Sequence, residues 1–317
     1  MNLQYSYYEN VVVFINKQVF VYLSLIFKFL FFEMNDVFIY LSRFEKFIPP
    51  MLKHITLILF ILIGFSNKIS AQFGFSHEIG VIAGPVAFQS DYGERKDLRT
   101  NAGNTGTGIG IIHYLNFSYK ADCNCYTPET YFNDHFKLRS ELSYNKTSLQ
   151  HFGRWVNKND NSLGVQQLRG MRGKTAVTNL GMQLEYFPWS IRDFTSTIES
   201  WGPFVSLGAQ FSYYNAEASS ILGPLGTPLT TFPKYLIPSE GRPYGYSTES
   251  GSVWSVVSSI GTRYKLSPLQ DVMVDMRFQY FYSNWVDGLN PNPEIYKENK
   301  ANDWLVWFNV GYIYYLQ

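Results

Sequence analysis

From residue 72 onward, apolar and polar residues alternate with period two, the pattern of a strand with two chemically opposed faces. The clearest stretch is 271–283. Val272, Val274, Met276, Phe278, Tyr280 and Tyr282 fall on one face, and Asp271, Asp275, Arg277, Gln279 and Ser283 on the other, interrupted by Met273 and Phe281. Segments 73–84, 107–119, 136–147, 175–187, 203–214, 253–266 and 304–317 repeat the pattern. Each has roughly the 9–11 residues a tilted strand needs to cross a bilayer. Eight is also the strand number of the smallest outer-membrane barrels. The pattern therefore predicts an all-β protein, an eight-stranded antiparallel up-and-down transmembrane β-barrel.

The connections fit that topology. Segments 85–106, 148–174, 215–252 and 284–303 are long, and 120–135, 188–202 and 267–270 are short, in strict alternation. Outer-membrane barrels carry long loops on the outer rim and short turns on the periplasmic one. The long set is thus expected outside, with both chain ends at the periplasmic rim.

The chemistry of the two faces decides between a soluble and a membrane barrel. A soluble barrel turns its apolar side chains inward. Here the apolar set is bulky and ends in Tyr and Trp, which suits lipid and its interfaces. The other set is rich in glycine and small polar residues and carries Glu78, Arg139, Glu141, Glu185, Arg263, Asp275 and Arg277, with Lys137 and Lys265 nearer the rims. Charges inside so narrow a barrel are desolvated and must pair. The expectation is a salt-bridged, closed lumen, with a gated polar path as the alternative.

Composition narrows the field. The 317 residues hold 26 Lys+Arg against 25 Asp+Glu, a formal net charge of +1, so there is no electrostatic case for a nucleic-acid partner. Aromatic residues make up 18%, which excludes disorder for most of the chain. A mean hydropathy of −0.12 excludes a bundle of membrane helices.

The first 71 residues read differently. Met51-Leu52-Lys53-His54 is a short basic start, 55–65 is an apolar run too short to span a bilayer, and 66–71 ends on Ala71. These are the parts of a secretory signal peptide over 51–71, with cleavage expected after Ala71. Residues 1–50 are expected to be a mis-called extension upstream of a true start at Met51, with a membrane anchor over 11–32 as the alternative. The barrel domain is then 72–317. Cys123 and Cys125, one residue apart, are too close to staple a fold. A single such pair is also a weak metal site, even with Asp122 and His135 nearby.

Several stretches carry a resemblance: Gly74-Phe75-Ser76-His77-Glu78-Ile79-Gly80, Asn101-Ala102-Gly103-Asn104-Thr105-Gly106, Gln183-Leu184-Glu185-Tyr186-Phe187-Pro188, Trp254-Ser255-Val256-Val257-Ser258-Ser259, and 283–291. On these, residues 72–317 resemble an uncharacterised family of flavobacterial-type outer-membrane β-barrel proteins, similar to small barrels of the OmpA and OmpX kind. The resemblance implies a Gram-negative outer-membrane location and insertion by the barrel-assembly machinery. It implies no reaction.

Candidate chemistry is sparse. Gly103, Gly106, Gly108 and Gly110 lack the spacing of a dinucleotide loop, and interior crowding accounts for the last three. Beyond residue 72 the histidines are His77, His113, His135 and His151, with no G-x-S-x-G or H-E-x-x-H motif. No enzyme, cofactor or metal is expected, and a lipid-modifying site at His77 and His113 is the minor alternative. Arg154, Arg169, Arg172 and Lys174 in the second long loop are candidates to meet anionic lipopolysaccharide. The expected role is a structural or surface-interaction barrel of the outer membrane, in contact with its lipid. The alternative is a transport or secretion-accessory component with a protein partner at the periplasmic rim.

Overall fold

The computed structural model describes residues 75–94, 97–119, 130–299 and 301–316. The 1–50 stretch, the 51–71 segment, Cys123 and Cys125 lie outside the described residues. Eight strands follow one another as β1 (Phe75–Gln89), β2 (Thr105–Tyr119), β3 (Phe136–Gln150), β4 (Met171–Tyr186), β5 (Trp201–Ser220), β6 (Ser250–Ser267), β7 (Gln270–Phe281) and β8 (Trp304–Leu316). Each pairs antiparallel with the next, and β1 pairs with β8 (Val81 opposite Tyr312), which closes the barrel in chain order. Among the described residues each of the eight expected segments forms a strand, although β7 stops at Phe281, short of Tyr282 and Ser283, and β4 stops at Tyr186. Closure leaves no unpaired sheet edge.

Register places like with like on each wall. Outside, Val205 faces Ile260, Ile260 faces Met276 and Met276 faces Phe308. Ile79, Ile111, Leu142, Leu180 and Leu207 continue this exposed apolar belt, and Leu180 and Leu207 are 63% and 64% exposed. Inside, small residues make room for large ones. A side chain at Gly108 on β2 would begin 2.5 Å from the indole of Trp307 on β8.

Two expectations need correction. Most strands run further than the apolar alternation, chiefly toward the long-loop rim, β7 being an exception. On β5 the large outward residues end at Tyr213, and Asn215, Glu217 and Ser219 continue the exposed face while Ala216 and Ala218 point in. Hydrogen bonding extends the ladder past the apolar belt, where period-two hydropathy no longer marks it. The strict alternation of loop length also fails at its first pair, because 90–104 is no longer than 120–135. β1 and β2 take into their ladder residues that the sequence pattern leaves in the loop.

Both mouths are covered. At the rim where the described ends of the chain, Phe75 and Leu316, lie, Phe187, Ile191 and Phe194 of the 187–200 connection are buried, Phe187 against the ring of Phe204. At the opposite rim, Val286, Asp287 and Leu289 of the 282–303 loop are fully buried. Their turn needs a left-handed residue, supplied by Gly288 at φ +85°.

Candidate functional site: the barrel interior and the loop rim

Inward positions on β1, β3, β4, β6 and β7 bring together five cations and five carboxylates. Near the chain-end rim, Glu78 accepts from Lys137 at 2.5 Å and from Arg263 at 2.6 Å. Arg263 also reaches Glu185 at 3.2 Å and lies 3.9 Å from the centre of the Tyr114 ring. Arg139 is the hub: Nη1 lies 3.0 Å from Asp275 and 3.3 Å from Glu185, and Nη2 lies 2.9 Å from Glu141. Arg277 closes the cluster on Glu141. Lys265 pairs with Asp271 at 3.2 Å, and Asp271 accepts from the Tyr315 hydroxyl at 2.6 Å. All ten side chains are at most 2% exposed.

The seven residues singled out from the sequence thus meet in one network, with Lys137 and Lys265 as members of it. Asp271 is the member that reasoning from sequence left out. Its parity with Asp275 on the same strand is the feature that marks it. The arrangement is formally neutral, and neutrality is what allows so many charges to lie out of water.

Above the charges lies a layer of neutral polar side chains. Ser212 donates to Asn179 at 2.7 Å, and Gln279 donates to Asn179 and Ser255, both at 2.9 Å. Phe88 stacks on Phe281 above that, at 6.0 Å. The roof is the 284–290 segment. Asp303 accepts from the amides of Val286 at 3.0 Å and Asp287 at 3.2 Å, and the Thr175 hydroxyl donates to the Val286 carbonyl at 2.6 Å. Asp287 in turn accepts from the Asp91 amide at 2.7 Å, tying the roof to the 90–104 loop. Chemically the lumen is a stack of paired charges and hydrogen-bonded polar side chains between two covers, although several buried polar atoms, such as Arg277 Nη2 and Gln210 Oε1, have no hydrogen-bond partner.

Outside the roof, the loops enclose a second feature, a cavity of about 790 Å³. Phe152, Trp155, Phe232 and Tyr296 supply aromatic walls, and Glu94, Lys234 and Lys297 supply charge. Arg154 donates to both oxygens of Glu94, at 2.7 and 2.9 Å, and Trp155 Nε1 donates to one of them. These bonds hold the Glu94 carboxyl below its usual pKa. His151 lies between the rings of Tyr92 and Tyr235, at 5.2 and 6.3 Å. Burial, with Lys234 and Arg172 nearby, pulls its pKa down to about 3.

The other loop cations are partly committed within the loop. Arg169 donates to the carbonyls of Asn157 and Asp160, and Arg172 to those of Arg169 and Met171. Lys174 is exposed on β4. On the outer wall His77 and His113 touch, ring nitrogens 3.1 Å apart, and His135 contacts the Phe187 carbonyl at 2.6 Å. Among the described residues, no group of three or more His, Cys, Asp or Glu is placed to hold a metal. Gly106 and Gly108 are crowded by neighbours rather than arranged as a cradle.

No family model matches the chain, and no curated protein matches it. Solved structures similar to it include Ail, the attachment invasion locus protein of Yersinia pestis, in complex with the heparin analogue sucrose octasulfate. Identity there is 10% over 77% of this chain and 100% of that one, with a TM-score of 0.37. Neisserial surface protein A is 14% identical over 75% and 96%, with a TM-score of 0.36. A major outer membrane protein from Thermus thermophilus is 11% identical over 76% and 99%, with a TM-score of 0.40.

Proposed function

We propose that the protein is an outer-membrane barrel with a closed lumen, acting as a structural or surface-interaction element and not as a pore. The exposed belt supports the membrane part of this reading. Each buried large apolar side chain is worth about 1.5–3 kcal/mol, so a wall of them facing water would be untenable, whereas facing lipid it is stabilising. Polar ladder extensions such as 215–220 then mark where β5 leaves the hydrocarbon.

The observation that carries the closed-lumen reading is the neutral ion-pair layer, roofed by 284–290 and floored by Phe187, Ile191 and Phe194. A conducting path would have to break several buried pairs at once. The purified full chain in planar lipid bilayers is expected to give no stepwise conductance; discrete openings would overturn the reading.

The long-loop rim is then the outer surface. Arg154, Arg169, Arg172 and Lys174 would meet the phosphates of neighbouring lipopolysaccharide there, Lys174 most directly because it is exposed while the three arginines already donate to loop oxygens. The barrel-assembly machinery would insert the chain. Protease added to intact cells should cut within 221–249 and leave the strands; resistance there, with cutting from the periplasmic side, would reverse the orientation.

A further inference from the structure

The loop cavity is unused by that reading, and its walls are specific. It lies among four loops far apart in sequence, at Glu94, at Phe152 and Trp155, at Phe232 and Lys234, and at Tyr296 and Lys297. At about 790 Å³ it has the size of a small-molecule pocket, about 300–1,000 Å³. It is therefore large enough for an extended polar molecule and oversized for a single ion.

Aromatic planes with polar groups between them select a ligand that has both apolar faces and many hydroxyls. Trp155 is half exposed, with the Arg154 guanidinium 4.7 Å from its ring centre. The charges narrow the choice. Arg154 and Trp155 both donate to Glu94, and the Arg154 charge offsets its own. Asp91 accepts from Asn284 at 3.2 Å and is turned toward the roof. Lys297 stands exposed at the cavity edge, and Lys234 lies 4.9 Å from the Tyr235 ring centre. Among the described lining residues, Lys297 is thus the exposed cation that a ligand would meet. A free fatty chain would use the apolar walls but leave the exposed Lys297 without a partner. An extended peptide would find no open strand edge to pair with, because the barrel is closed.

We propose that this cavity binds a short saccharide carrying an anionic group, a uronate or a sugar phosphate, with its ring stacked on Trp155 and its charge toward Lys297. The proposal rests on the preceding reading only in placing this rim outside the cell. Such a sugar could be a free glycan or the head of a lipid-borne one.

The test uses the full chain folded in detergent micelles, with fold checked by heat-modifiable gel mobility. It is titrated with trigalacturonate, with rough-type lipopolysaccharide in mixed micelles, with neutral maltotriose and with inorganic phosphate. Tryptophan fluorescence and titration calorimetry report binding. At least one anionic probe is expected to bind saturably, and maltotriose at least tenfold more weakly. Trp155→Ala should weaken that binding at least tenfold, Trp155→Phe should restore part of it, and Lys297→Glu should weaken it about tenfold. Binding of trigalacturonate identifies a soluble glycan as sufficient, and binding of lipopolysaccharide alone identifies a lipid-borne one. The proposal fails if neither anionic probe binds, if maltotriose binds equally, if phosphate alone binds as tightly, or if binding survives both Trp155→Ala and Lys297→Glu. Bilayer conductance is scored separately, so an open lumen with intact sugar binding would sink the pore-free reading and leave this one standing.

Discussion

Replacing Arg139 with Met tests whether the lumen is dry. Arg139 contacts three carboxylates. Without it, Glu141 keeps Arg277 and Glu185 keeps Arg263. Asp275 keeps only the Asn309 amide, which donates at 2.6 Å. The lumen then holds four cations against five carboxylates. An uncompensated charge left in a buried pair costs about 3–5 kcal/mol, a large share of the roughly 5–15 kcal/mol by which folded domains are stable. Arg139→Met should therefore lower the unfolding free energy by about 3–5 kcal/mol, read by urea titration of the full chain in lipid vesicles. Adding Asp275→Asn restores neutrality and should recover about 2–3 kcal/mol, a coupling expected only of groups in contact. If bulk water filled the lumen, the stranded carboxylate would be hydrated. The loss would then be about 1 kcal/mol or less, as for exposed ion pairs. A loss that small, or a double variant no better than the sum of its parts, refutes the dry ion-pair stack.

Three other outcomes are accessible. Leu180→Arg in the exposed belt should cost about 2–4 kcal/mol in vesicles, while Ser219→Arg on the polar extension of β5 should cost about 0–1 kcal/mol; equal costs would remove the belt's claim to lipid. Gly108→Val drives a side chain into the Trp307 indole and should destabilise by about 1–3 kcal/mol through overpacking, again by urea titration; no effect would mean Trp307 is loosely held. His151 has a depressed folded pKa, so between about pH 6.5 and 3 the opened loop binds a proton that the closed one does not. Closed-loop stability should fall as pH drops through that window, read as faster amide exchange in the 151–170 loop. His151→Gln should flatten the pH dependence, and an unchanged dependence in the variant would exonerate the histidine.

What was legible in the sequence follows from how locally each feature is encoded. The strands were legible because lipid-type and lumen-type side chains alternate residue by residue, as in 271–283. Parity alone sufficed to sort Glu78, Arg139 and Arg277 onto one side. The strand ends were not legible. Once β5 passes Tyr214 both of its faces are small or polar, and only pairing with β4 and β6 keeps it extended. The roof was hidden for another reason. Val286 and Leu289 stand among Pro, Gly and Asn, and the segment that carries them is held by Asp303 at the loop's far end and by Thr175 and Asp91 from distant parts of the chain. The rim cavity is more distributed still, since no two of its aromatic walls beyond Phe152 and Trp155 are close in sequence.

The roof and the cavity share parts, and this shapes how the outer surface behaves. The Asp91 amide is held by Asp287 of the roof, its carboxylate accepts from Asn284, and its carbonyl accepts from Tyr235 at 3.2 Å. Tyr235 follows Phe232 and Lys234, which line the cavity, and Asp91 itself forms part of its wall. Thus the contacts that hold the roof segment also fix the relative position of three of the loops that make the pocket. A pocket assembled from mobile loops would lose much of its binding energy in ordering them. Here that ordering is supplied by folding, through buried hydrogen bonds anchored on the barrel at Thr175. Covering the long-loop mouth of the barrel and ordering the pocket loops are therefore served by one set of interactions.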